Sequence, residues 1–296
     1  MREQWIIGVD GSFGSRSALE WALANAPAHD ADVTVVHAHH QGAAARVLSA
    51  VHVGRDSESG TTSNALHELD ASIADLVGDR TIERRVISGH PGRALLDAAA
   101  DATLVVVGRH GIGSAWQHGL GSVSRHCVIH ATVPTVVVPT DWEHGPTTDI
   151  VVGFDGSANA SAAVRWALDF ATAGTTVRAL IAIEIAPWLR SDLIEERFAD
   201  ELRVEQLRLH DMLDEADPQR RAHREVAIRG ARPALARAAE SADLVVVGTH
   251  GSGRLAATVL GSVSTWMLDA STRPTVVVPS EEQSNERRRH ARRIRG

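Results

Sequence analysis

The sequence predicts two α/β domains in tandem, each an open, doubly wound sheet of five parallel strands flanked by helices. Three observations carry this expectation. The chain repeats itself, each repeat alternates short apolar runs with longer amphipathic stretches, and glycines gather where the fourth run of each repeat ends.

The first copy opens Ile6-Ile7-Gly8-Val9-Asp10-Gly11-Ser12 and the second Val151-Val152-Gly153-Phe154-Asp155-Gly156-Ser157, a displacement of 145 positions. Leu104-Val105-Val106-Val107-Gly108-Arg109-His110-Gly111 returns as Leu244-Val245-Val246-Val247-Gly248-Thr249-His250-Gly251, displaced by 140. The same shift carries Leu120–Ser124 onto Leu260–Ser264 and Pro134–Pro139 onto Pro274–Pro279. These landmarks give domains at 1–140 and 149–280, a polar linker from Asp141 to Asp149, and a basic, disordered tail over 281–296.

In the first copy the strand candidates are Trp5–Val9, Val33–Ala38, Thr81–Ile87, Leu104–Gly108 and Thr135–Val138, near-continuous apolar runs suited to a sheet covered on both faces. Between them Ser15–Ala26, Asn64–Val77, Arg93–Ala100 and Val123–His130 carry apolar residues at helical spacing. Trp21 and Trp166 recur at one helical position and read as core anchors. The copies diverge between their second and third strands. Gly42–Ser63 reads as an irregular loop over the site, whereas Ser191–Glu215, with Leu193, Phe198, Leu202, Leu209 and Leu213, reads as an amphipathic surface helix.

Composition narrows the chemistry. All 30 basic residues are arginine, so a Walker lysine, a kinase strand lysine and a Schiff-base amine are excluded. A net charge of −7 argues against a nucleic-acid groove, and no apolar run is long enough for a membrane helix. With one cysteine, Cys127, no internal disulfide forms, and its apolar helical setting marks it as a buried, inert thiol. The start of the chain lacks a secretory pattern, so the expected location is cytoplasmic. The six arginines between Arg287 and Arg295 read as a solvated tail or as a contact for an anionic partner.

Ligands of doubly wound sheets bind beyond the carboxyl ends of the strands, where Asp10 and Gly108 fall. Gly108-x2-Gly111-x9-Gly121-Ser122 and Gly248-x2-Gly251-x9-Gly261-Ser262 are one pattern twice. Glycine permits positive φ and close backbone approach, and each serine stands just before a helical pattern, where free amides hold an anion without a lysine. Closure of tight turns is the plainer reading; two copies after the same strand favour binding.

This doubled pattern resembles the universal stress protein family, whose nucleotide-binding branch carries the GxxGx9G[S/T] spacing; the likeness covers nearly all of residues 1–280. It implies Rossmann-like, adenine nucleotide alpha hydrolase-like domains with one ATP in each, with or without Mg²⁺. Asp10 and Asp155 would lie beside ribose and adenine, and Ala38 and Ala182 would meet adenine through the backbone. Val107, Gly108, Gly111, Gly121, Ser122, Val123 and, more weakly, Ser124 would hold ribose and phosphates in the first half. Val247, Gly248, Gly251, Gly261, Ser262, Val263 and Ser264 would do so in the second. The likeness also implies edge pairing through the last strands, hence a homodimer, and an unidentified protein partner.

Ser15 of the first copy is Ala160 in the second, so unequal nucleotide affinity is expected. His37 and His39 share a strand face, but with no adjacent carboxylate or cysteine they and His40 read as strand-end and loop residues rather than metal ligands. His110 and His250 sit inside the glycine loops, within reach of phosphate oxygens or on the surface. The expected function is nucleotide-dependent regulation in a stress response. A slow ATP hydrolase or phosphoryl or nucleotidyl transferase, or a sensor of AMP or cyclic AMP, are the alternatives; lack of a lysine weighs against efficient phosphoryl transfer.

Overall fold

The structure is a computed structural model that describes residues 2–39, 57–78, 80–112, 119–142, 145–184, 199–251 and 260–295. It divides into two compact units, Met1–Pro146 and Thr147–Gly296. In the first unit β1 (Glu3–Gly8), α1 (Phe13–Asn25), β2 (Ala31–His39), α2 (Ser57–Val77), β3 (Glu83–Ser88), α3 (Pro91–Ala98), β4 (Leu104–Gly108), α4 (Ser122–His130) and β5 (Thr135–Val138) follow in order. The strands lie β3-β2-β1-β4-β5, every described pairing parallel.

The core explains that order. Ile7 pairs with Val35 on one side and Val106 on the other, and Trp5, Ile7, Val35, Val105 and Val106 are buried. A run apolar at every position demands helices on both faces, as βαβ crossovers supply. Trp21 of α1 is buried and stacks on Trp5 with centroids 5.8 Å apart. The chain winds outward from β1 to β3 and returns to β4, so the order reverses between β1 and β4 and a crevice opens above their carboxyl ends.

The second unit repeats the plan with β6 (Asp149–Phe154), α5 (Ala158–Phe170), β7 (Thr176–Ala182), α6 (Ala199–Ala216), β8 (His223–Ala227), α7 (Ala231–Ala239), β9 (Leu244–Gly248), α8 (Ser262–Ala270) and β10 (Thr275–Val278), in strand order β8-β7-β6-β9-β10. Leu209 and Leu213 of α6 are buried as its spacing predicts, whereas Leu193 and Phe198 lie outside the described residues. Trp166 is half-buried and stacks on Phe170, so it anchors less deeply than Trp21.

Three expectations need correction. The expected tail is helical where it is described: Glu281–Arg295 form α9. Its cause is a capping box, Ser280-Glu281-Glu282-Gln283, in which Ser280 Oγ accepts from the Gln283 amide and Gln283 Oε1 accepts from the Ser280 amide. Helix α2 begins at Ser57 rather than Asn64, because its first turns are polar and carry no apolar periodicity; the rest of the expected loop, 42–56, lies outside the described residues. Finally, β3 is an edge strand with Glu83, Arg84 and Arg85 exposed, charged residues that protect an open edge.

Cys127 is buried in α4, and burial pushes its thiol up to about 12. Maleimide labelling is therefore expected to fail on the native chain and to follow unfolding of the first unit in urea; fast native labelling would contradict this packing.

Candidate functional site

A cavity of about 690 Å³ occupies the crevice of the first unit. Its lining includes all nine residues singled out there from sequence: Asp10, Ala38, Val107, Gly108, Gly111, Gly121, Ser122, Val123 and Ser124. Val36, Pro91 and Leu95 add an apolar wall that the motif does not mark, because strand β2 and helix α3 bring it there. The volume suits a small organic ligand.

Asp10 joins the end of β1 to the glycine loop. Its Oδ1 accepts from the Ser12 hydroxyl at 2.6 Å and the Ser12 amide at 3.0 Å, and its Oδ2 accepts from the Ile112 amide at 2.8 Å. Burial raises the carboxyl pKa, but the bonds from Ser12, Ile112 and Ser15 outweigh it and hold the group below its ordinary value. The site thus presents a fixed anion that accepts hydrogen bonds.

The signature glycines work by close approach. Left-handed backbone occurs at Gly11 and Gly156, not at Gly108, Gly111, Gly121, Gly248, Gly251 or Gly261, which corrects the positive-φ expectation. A Cβ at Gly108 would lie 2.3 Å from the Gly14 carbonyl carbon, and one at Gly111 would lie 2.3 Å from Asp10 Oδ2. The first glycine lets α1 start against the strand; the second lets the carboxylate reach the loop.

Two helices begin at this crevice, and they differ. Ser12 caps α1, its hydroxyl accepting from the Ser15 amide at 3.2 Å. Helix α4 has Gly121 at its cap and no side-chain cap bond, so the first-turn amides of Ser122, Val123 and Ser124 remain for a ligand or water. The Ser124 hydroxyl is otherwise engaged, donating to the Gly108 carbonyl at 2.6 Å, and so it pins α4 to β4. Its part as a ligand contact therefore shrinks to its amide.

The second unit reproduces this frame. Gly261 at the start of α8 again has no capping side chain, its amide donates to the Thr249 carbonyl at 2.8 Å, and Ser264 donates to the Gly248 carbonyl at 2.6 Å. A Cβ at Gly251 would lie 2.5 Å from Asp155 Oδ2, and one at Gly248 would lie 2.7 Å from Asn159 Cβ. Val247 is buried in β9, Ala182 ends β7, and Ser262 and Val263 open α8. The units differ at the carboxylate. Asp10 has the Ser12 hydroxyl and, through its amide, Ser15 Oγ, whereas Ser157 reaches Asp155 through its amide at 3.0 Å and residue 160 is alanine. In addition, Met212 and Leu209 of α6 lie beside Gly156.

His37 Nδ1 lies 2.9 Å from the Val9 carbonyl and so donates to it, joining β2 to the end of β1; the side chain of His39, together with His40, lies outside what is described. Among the described residues no group of three or more His, Cys, Asp or Glu is arranged to hold a metal ion, and no helix is long and apolar enough to cross a membrane. Sequence reasoning missed Ser12 and Ser157 as caps, although Ser-x-x before each helix was a readable signal.

Replacing Gly111 by Val should force Asp10 off the loop and cost about 1–3 kcal/mol in urea unfolding. Asp10→Ala should cost about 1–3 kcal/mol at neutral pH, since three donors lose their acceptor. Because the folded pKa is depressed, this contribution is present above the ordinary carboxylate range and is lost as pH falls through the folded value. The gap between wild type and Asp10→Ala should therefore close on acidification; a gap constant from pH 7 to 2 would refute the bonding described.

The sequence model of the universal stress protein family matches residues 1–139 and 147–279. A universal stress protein of Mycolicibacterium smegmatis is 30% identical, over 92% of this chain and 96% of its own length. One from Mycobacterium tuberculosis is 28% identical, over 92% and 95%. The crystal structure of a universal stress protein from Archaeoglobus fulgidus superposes with a TM-score of 0.64 at 19% identity, over 95% of this chain and 99% of that one, a likeness of fold. The chain belongs to the universal stress protein family.

Proposed function

We propose that each half binds one ATP and that the chain is a nucleotide-dependent regulator in a stress response. The observation that carries this reading is the first-unit cavity, where an apolar wall, a fixed carboxylate and an uncapped helix start face one space. These three chemistries match the parts of a nucleotide. Val36, Ala38 and Leu95 offer an apolar surface to a base, Asp10 accepts from sugar hydroxyls, and the amides of Ser122 and Val123 with the α4 dipole meet anionic oxygens.

Regulation then follows from linkage. ATP bridging Asp10, the glycine loop and α4 favours the state in which these are joined, and a protein partner that prefers that state senses the nucleotide. In this reading the protein acts in the cytoplasm as a homodimer.

The test is to denature freshly purified protein and identify and count what it releases by chromatography and mass spectrometry. About two ATP per chain are expected, falling when Gly111 and Gly251 are each replaced by Val. Mostly ADP would shift the reading to slow hydrolysis, and release of no adenine nucleotide with no binding of added ATP would overturn it.

A further inference from the structure

The second glycine loop has a partner with no counterpart among the described residues of the first. Gln283, in the first turn of α9, accepts at Oε1 from the Thr249 hydroxyl at 2.6 Å and from the Ser280 amide at 3.1 Å. Its Nε2 lies 2.9 Å from His250 Nδ1. The backbone amide can only donate, so Oε1 is the acceptor and Nε2 the donor. His250 Nδ1 must then accept, and the neutral ring carries its proton on Nε2.

That Nε2 is buried and has no hydrogen-bond partner among the described residues, in a residue only 8% exposed. A buried donor left without an acceptor is costly and needs an explanation. A ligand at the glycine loop would supply the acceptor. His250 stands between Gly248 and Gly251, and a Cβ at Gly261, the residue that opens α8, would lie 3.3 Å from His250 Cα. The counterpart in the first unit, His110, lines the cavity and also has a buried, unpartnered Nε2, but among the described residues no side chain holds its Nδ1.

Resting on the nucleotide reading above, we propose that Gln283 is a positioning residue for the second site: from α9 it fixes the proton of His250 on Nε2 and so holds a donor ready for the phosphate oxygens of the bound nucleotide. Among the described residues the first site has no counterpart of Gln283. The C-terminal helix is thereby part of the second site.

The test uses the full chain and compares wild type with Gln283→Glu. Glutamate preserves the capping box and the bond from Thr249, but its second oxygen demands a proton on His250 Nδ1. In ¹⁵N spectra of histidine-labelled protein above the imidazole titration range, with His250→Gln giving the assignment, wild type should show the Nε2–H tautomer and Gln283→Glu the Nδ1–H tautomer. ATP should shift the wild-type Nε2 signal, and Gln283→Glu should weaken the second site about tenfold, with the first site unchanged. An Nδ1–H tautomer in wild type, or second-site ATP binding equal in the two proteins, would overturn the inference alone. No ATP binding in either half, with the Nε2–H tautomer present, would overturn the nucleotide reading and with it this role for Nε2.

Discussion

The uncapped start of α4 is the constraint on which the site depends. Helix amides that no side chain satisfies are tolerable only where water or a ligand reaches them, so the crevice above β1 and β4 must stay open. The neighbouring α1 shows the alternative: Ser12 closes its first turn, and that turn is free to serve as structure. Holding one helix closed and the other open requires both to start within contact of one loop. Gly108 permits this by leaving no Cβ in the way of Gly14, and the Ser124 hydroxyl on the Gly108 carbonyl secures it.

Asp10 supplies the second half of the arrangement. Four hydrogen bonds at or beside its carboxylate join the first strand, the α1 cap and the glycine loop, so the loop is placed by an anion already present in the chain. A carboxylate so engaged stays charged and repels phosphate. In the proposed reading an anionic ligand would therefore place its charged part at the amides of α4 and its hydroxyl-bearing part at Asp10.

The fold was legible because both repeats write the central strands in all-apolar runs, and Leu104–Val107 and Leu244–Val247, β-branched and bounded by glycine, suit the centre of a parallel sheet. That the residues of the motif fall at strand ends and helix starts was legible for the same reason, since each copy of the motif follows an apolar run. What the glycines do was not. Their spacing is equally compatible with left-handed turns and with close approach, and only coordinates separate a φ from a missing Cβ. The apolar wall from Val36, Pro91 and Leu95 was hidden because it assembles from segments far apart in sequence. The α9 helix was readable, and its capping box was masked by the weight of six nearby arginines, a composition that elsewhere signals a solvated tail.

Charge arithmetic bears on what such a site can do. A helix start contributes roughly half an elementary charge, and the chain has no lysine to add to it. Arg125, on α4, is in the cavity lining, but it is exposed and therefore screened. In the nucleotide reading proposed above these amides would meet one phosphate group, whereas charge developing on a transferred phosphoryl group is ordinarily met by metal ions and fixed cations. Binding linkage asks only for the first of these, which is the physical ground for proposing a regulator with slow hydrolysis as the alternative.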